Sequence, residues 1–340
     1  MLYRLRHGSI SFYTAAFVTP DLRLASVYVE FCDRGSLENL IKAYAEHRQN
    51  VPHKQKPEIP ERFIWHAFAG LCDGLAYLLG GRSYMPKEVT DYSPTPGWIP
   101  VLHRDMKPDN VLLRSRDTLG SKKCFYCVLS DFGLACEDRP PGHPEEDRFQ
   151  KMGSKLGTKT FYAPELLYNP YPKKDPFNRY QDLQFNFFPN GHKHTVKSDL
   201  YSLGASIYNM VDLPPVIMNG RPTNSALSHL RLDTKPYNVD MGEFLEGTIS
   251  RKNTLDISKV QLNQKYTPQL KDAILIATRW DPKNRPNAIQ MVQKMKALMQ
   301  ESGLHSHIAE NQDEELPSWA TRVHDYHSRE PLDPRQFEPR

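Results

Sequence analysis

Between residues 101 and 113 the chain reads VLHRDMKPDNVLL, with Asp105 two residues before Lys107 and five before Asn110. A positioned carboxylate can take a proton from a hydroxyl, a lysine is a point charge for an anion, and an amide oxygen is a hard ligand for magnesium. Two plainer readings compete with that chemistry. Asp, Asn and Pro are ordinary turn residues, and basic side chains often form a surface patch. Farther along, LSDFGLA sets Asp131 at the end of a strand-like run, before a glycine. Alone that triplet is weak, because an aspartate before glycine is common in turns.

The elements that must position these groups can be read around them. ISFYTAAFV (10 to 18) and LASVYVEF (24 to 31) read as strands joined by a turn with proline. DRGSLENLIKAYAE offers a glycine turn, a cap at Ser36 and an amphipathic helix. ERFIWHAFAGLCDGLAYLLG has apolar residues at helical spacing, and RSYMPKEVTDYSPTPGWIP reads as an inserted loop. CFYCVLSDFG returns to strand character, and 139 to 156 reads as a loop of mixed charge. VKSDLYSLGASIYNMV (196 to 211) is apolar on most sides and predicts a buried helix. TPQLKDAILIATRW and NAIQMVQKMKALM predict later helices, and from about 303 a polar, aperiodic stretch predicts a disordered or loosely docked tail.

Composition narrows the function classes. The 340 residues carry a formal net charge of +4, too little for the concentrated basic stripe of a nucleic-acid binder. No apolar run approaches the ~18 residues of a membrane span, and the first residues lack a charged-then-apolar signal pattern, so an intracellular location and no membrane partner are expected. Five scattered cysteines do not make a secreted disulfide framework. Cys124 and Cys127 have the spacing of a zinc half-site but no second pair, so core or edge thiols are expected.

Taken together, the motifs resemble those of eukaryotic protein kinases over residues 5 to 300. His103-Arg104-Asp105 with Asn110 resembles the H-R-D-x-x-x-x-N catalytic loop, and Asp131-Phe132-Gly133 the D-F-G metal triplet. GTKTFYAPE resembles the segment that closes the activation loop on Ala-Pro-Glu, 163 to 165. SDLYSLG resembles the family's buried helix with an aspartate, Asp199, although Tyr201 stands where tryptophan is usual. RWDPKNRPNA resembles a later helix boundary carrying Arg285.

The resemblance implies an α+β fold with a mainly helical C-lobe and a truncated β N-lobe. Residues 1–35 would be the N-lobe remnant and hinge, 36–302 the C-lobe and 303–340 the tail. It implies a protein serine/threonine kinase using ATP and Mg²⁺ on protein substrates. Asp105 would accept the substrate proton, Lys107 would neutralise the transferring phosphoryl group, and Thr158 would hydrogen-bond around both. Lysine two after the aspartate resembles the serine/threonine branch. Asn110 and Asp131 would hold magnesium, and Glu30, Cys32, Ser36 and Leu112 would line the nucleotide. His103, Arg104, Phe132, Glu165, Asp199 and Arg285 would support the site, with Glu165 and Arg285 as a buried ion pair. Ser154 is the candidate phosphosite, with Arg104 as its partner.

The family's glycine-rich loop and strand lysine have no counterpart here: Gly8 is the one glycine before residue 35, and Lys42 is the first lysine. The expectation is a kinase whose first part is missing from these residues, so that the chain as given is inactive. The alternative is a kinase-like module that binds partners without catalysis.

Overall fold

The structure, a computed structural model, describes residues 1–115, 125–139, 142–143, 156–158, 161–167, 194–211, 213, 266–279, 282–303, 316–317 and 319–320, with 20, 22 and 53–55 excepted. A small β ribbon leads into a helical body, the α+β division the sequence implies.

Strands β1 (Tyr13–Thr19) and β2 (Leu24–Val29) pair antiparallel, with Phe17 opposite Ser26. β1 starts later than residue 10 because Ser9 to Ser11 are used elsewhere. Ser11 N donates to Leu129 O (2.8 Å), and Ser9 O accepts from Leu129 N (2.9 Å). The ribbon leaves Phe17 and Tyr28, edge to face at 5.6 Å, more than half exposed.

Helix α1 (Leu37–Gln49) starts where the sequence places its cap. Ser36 accepts from Asn39 N while the Asn39 side chain accepts from Ser36 N, so two orphan helix donors are satisfied. Glu38 in the first turn and His47 and Arg48 in the last oppose the helix dipole. Helix α2 (Glu61–Gly80) is the centre of the core. It is long and apolar enough by composition to cross a bilayer, but most of it is buried inside the fold. The left-handed Gly81 ends it (φ 80°), where a Cβ would come within 2.6 Å of the Trp98 ring.

The loop after α2 is tied down. Asp73 of α2 accepts from Ser83 Oγ (2.5 Å), Tyr84 N (2.7 Å), Met85 N (3.0 Å) and His7 Nε2 (3.1 Å). Burial pushes this carboxyl's pKa up, but those bonds outweigh it and hold it below the ordinary value. Trp98 Nε1 donates to Leu78 O, and the Arg4 guanidinium lies 4.4 Å over the Trp98 ring while donating to Ile99 O.

Two short ribbons follow: β3 (Val101–Leu102) against β6 (Cys136–Glu137), and β4 (Val111–Ser115) against β5 (Phe125–Leu129). Helices α3 (Pro164–Leu167), α4 (Val196–Val211), α5 (Pro268–Ala277) and α6 (Ala288–Glu301) complete the body. α4 is buried along nearly its whole length. At Gly204 a Cβ would come within 2.7 Å of Thr278 and 2.9 Å of Ala277, so this glycine lets α4 approach α5. Cys32, Cys72, Cys127 and Cys136 are buried free thiols, while Cys124 lies outside the described residues. In the tail expected to dock loosely, Leu316 and Ala320 are buried.

Candidate active site

The loop between β3 and β4 carries Asp105, Lys107 and Asn110. At its start, Asp199 of α4 accepts from His103 N (2.7 Å) and Arg104 N (3.0 Å), anchoring the loop backbone to the body. Burial raises the Asp199 pKa even though these donors and nearby positive charge pull it down. His103 Nε2 donates to Ser130 O (2.9 Å) and Nδ1 accepts from Asp105 N (3.3 Å), which fixes the tautomer. The imidazole sits edge to face on Phe132 at 4.9 Å.

Arg104 adopts a left-handed backbone (φ 69°) and donates from Nε to Leu134 O. Such a backbone is rare outside glycine and turns the next residue sharply. Gly157 explains the neighbouring segment. Its φ is +101°, and a Cβ there would lie 2.4 Å from Arg104 O. Only glycine lets residues 156–158 reach the loop.

That approach brings Thr158 to Asp105. Thr158 Oγ1 donates to Asp105 Oδ1 (2.7 Å) and accepts from Lys107 Nζ (2.9 Å). Lys107 Nζ lies 3.2 Å from Asp105 Oδ2. Asn110 Nδ2 donates to Asp105 O (2.8 Å) and Oδ2 (3.0 Å). Asp105, Lys107, Thr158 and Asn110 therefore form one network. Burial pushes the Asp105 pKa up, but bonds from Thr158 and Lys107, the Lys107 charge and the Asn110 bond together hold it below the ordinary carboxylate value.

Ser130 N donates to Asn110 O (2.8 Å), which sets the start of the Asp131 turn beside Asn110. Asp131 is exposed and left-handed (φ 56°), and its Oδ1 accepts from Gly133 N. With its amino group turned to Asp105, Asn110 keeps an amide oxygen for a hard cation. Among the described residues no three His, Cys, Asp or Glu side chains form a closed cage. One amide oxygen and one open carboxylate suit magnesium, which shares its coordination with phosphate oxygens and water.

The hinge candidates lie together. Ser36 and Leu112 form an antiparallel bridge, and Arg34 N and Leu113 O, and Gly35 O and Leu113 N, are hydrogen-bonded. Glu30 N donates to Phe12 O, and the Glu30 carboxylate takes Phe12 N and Arg114. Cys32 is buried, and burial together with the Glu30 charge pushes its thiol up to about 12. The Ser36 hydroxyl is occupied by the cap, so its approach to a ribose competes with that bond.

Glu165 and Arg285 form a buried bidentate pair, Nη1 to Oε1 at 2.7 Å and Nη2 to Oε2 at 3.0 Å. Arg285 also donates to Lys197 O and Arg279 O and lies 4.8 Å over the Tyr201 ring. Aromatic character, not tryptophan itself, supplies that contact. Ser154 lies outside the described residues.

Two neighbours escaped the sequence reading. Tyr162 donates to Leu156 O (2.8 Å), and His194 Nε2 approaches the same carbonyl at 3.2 Å. Burial, then the Arg104 charge, lowers the His194 pKa to about 4 against the pull of Leu156 O and Asp105. Tyr162 lies within the GTKTFYAPE stretch but was given no role there, and His194 lies in no motif, so only the folded chain shows their contacts.

The protein kinase domain family matches residues 1–295. Over 302 residues the chain is 24% identical to "Probable serine/threonine-protein kinase iksA" of Dictyostelium discoideum, covering 84% of this chain and 24% of that protein. It is 26% identical over 273 residues to "Receptor-like cytoplasmic kinase 176" of Oryza sativa subsp. japonica, covering 79% and 51%. It is 22% identical over 293 residues to "Probable serine/threonine-protein kinase nek2" of Dictyostelium discoideum, covering 86% and 49%. The chain thus spans between a quarter and a half of these relatives' own length.

Proposed function

The chain belongs to the protein kinase family, and from that premise we propose that its site transfers the γ-phosphoryl group of ATP to serine or threonine hydroxyls of proteins. The observation that carries this reading is the closed network of Asp105, Lys107, Thr158 and Asn110. Phosphoryl transfer needs in-line placement and charge neutralisation more than covalent help. Asp105, ionised at neutral pH, orients the substrate hydroxyl and accepts its proton. Thr158 and Asn110 hold the carboxylate in place. Lys107 offers positive charge to the phosphoryl oxygens. Asn110 and Asp131 would hold magnesium, which neutralises charge on the phosphates when bound. The Cys32 backbone, the Glu30 carbonyl and Leu112 form the adenine side, and Ser154 is the proposed activating phosphosite.

A second reading rests on one observation: within these residues Gly8 is the one glycine before residue 35, and Lys42 the first lysine. Residues 1–340 alone would then act as a kinase-like binding module with weak nucleotide affinity.

One experiment tests the transfer reading. In a chain given a glycine-rich loop and strand lysine in frame upstream, radiolabel transfer from magnesium-ATP to a generic protein is compared with Asp105→Asn. Transfer lost in a folded variant, by about a hundredfold or more, is expected for a missing proton acceptor. Equal turnover by the two proteins would sink the assignment.

A further inference from the structure

Beyond the phosphotransfer site, the tail makes a compact contact of its own. Leu316 and Ala320 are 4% and 3% exposed and join the main core. Ala320 N donates to Pro317 O (2.9 Å), folding the segment into a turn. That turn presents Trp319 to α1. Its ring stacks on His47 at 4.1 Å and 7° between planes, and meets Tyr44 edge to face at 4.8 Å. Trp319 nevertheless stays 37% exposed, so its ring lies at the rim of the contact while Leu316 and Ala320 are buried beneath.

We propose that the α1 face around Tyr44 and His47 is a peptide-docking surface and that the tail segment carrying Leu316, Pro317, Trp319 and Ala320 is its occupant, held in cis. Three features support an exchangeable contact. The anchors are few and close in sequence: the buried Leu316 and Ala320 side chains and one aromatic ring, the pattern of a short linear recognition segment. Pro317 restricts the segment before it binds, which lowers the ordering cost. Tethering supplies a high effective concentration, so a contact that is weak between separate molecules is occupied within one. The occupied helix is also placed to matter, because it begins at Ser36, which bridges to Leu112 beside the catalytic loop. Nothing in this docking depends on phosphoryl transfer.

The test uses the whole chain and a fluorescein-labelled peptide of residues 311–325. Leu316→Ala with Trp319→Ala in the chain empties the surface. Peptide anisotropy should rise on titration with that variant at least tenfold more readily than with the unchanged chain, and His47→Ala should abolish the rise. A peptide carrying Trp319→Ala should not bind. Equal peptide binding to the unchanged and emptied chains, or none to an emptied chain with unchanged circular dichroism, overturns the proposal. A second measurement needs no variant fold. With 5-fluorotryptophan in the unchanged chain, excess peptide should move the Trp319 fluorine resonance towards its free position. A resonance unmoved by millimolar peptide shows that the segment is a fixed part of the fold and overturns exchange.

Discussion

Arg285 is buried and bonded to several groups, so removing it changes more than one contact. Glu165 would keep a buried carboxylate without its bidentate partner, and two backbone carbonyls would lose a donor. Breaking one side of a buried pair costs about 3–5 kcal/mol. Arg285→Ala should therefore lower the urea midpoint by that equivalent, and an unchanged midpoint would place the pair outside the fold's stability. Asp105 gives a pH expectation with a definite sign. Its carboxyl is held below the ordinary aspartate value, so it stays ionised, and under the proposed role able to take a proton, as pH falls towards that value. A transfer-rate profile with an acid limb near pH 6 must then come from another group. His194 is also shifted down, in a higher pH range. Its folded pKa, about 4, lies under the free value of 6.5, so the unfolded chain binds the proton first and stability drops as pH falls from 6.5 towards 4. The full effect approaches ~3 kcal/mol, and His194→Asn should flatten urea midpoints across that window. The motif residues were legible in the sequence because their chemistry demands their types. The close approach that Gly157 permits and the place of His194 were not, since the pressure on each comes from a neighbour far along the chain.

Elements were legible where length allows a period. α1, α2, α4, α5 and α6 each run ten residues or more, enough for apolar spacing and a cap to show. β3 and β6 hold two residues each, too few for any alternation, yet they pair, and β3 leads into the loop that carries Asp105. The start of β1 moved because Ser9 to Ser11 found a partner in β5, a competition no local pattern encodes. The turn at 156–158 is the element most open to a test. Gly157→Ala places a methyl against Arg104 O in a left-handed backbone, a strain of roughly 1–3 kcal/mol. The loop should swing away, breaking the Thr158–Asp105 bond. Faster exchange of the Asp105 amide in Gly157→Ala than in the parent protein would register it, and identical exchange would show that the loop absorbs the methyl.

For the whole molecule, the α+β division and the family were legible from the order of the motifs along the chain, and the relatives compared are 22–26% identical to it. The ATP affinity of these residues alone is a separate matter. Without a glycine-rich loop and strand lysine, few donors hold the phosphates, and each lost donor or cation costs about 3–4 kcal/mol of transition-state stabilisation by analogy with oxyanion holes. Calorimetry on residues 1–340 should show magnesium-ATP binding weaker than micromolar, with negligible label transfer; tight binding and robust transfer would show that the lobe described here suffices. The stretch from Ser83 to Trp98 has a different consequence. Its two ends are pinned, by Asp73 on one side and by Leu78 O and Arg4 on the other, while Pro86, Lys87 and Glu88 stand exposed between them. Covalent continuity at Lys87 is therefore dispensable once the protein has folded. Trypsin that nicks there should yield two polypeptides that run apart in denaturing gels and together on a sizing column. Expressed separately, residues 1–87 and 88–340 should find each other and rebuild α2 against α6, making this loop the place to divide the protein into complementing halves.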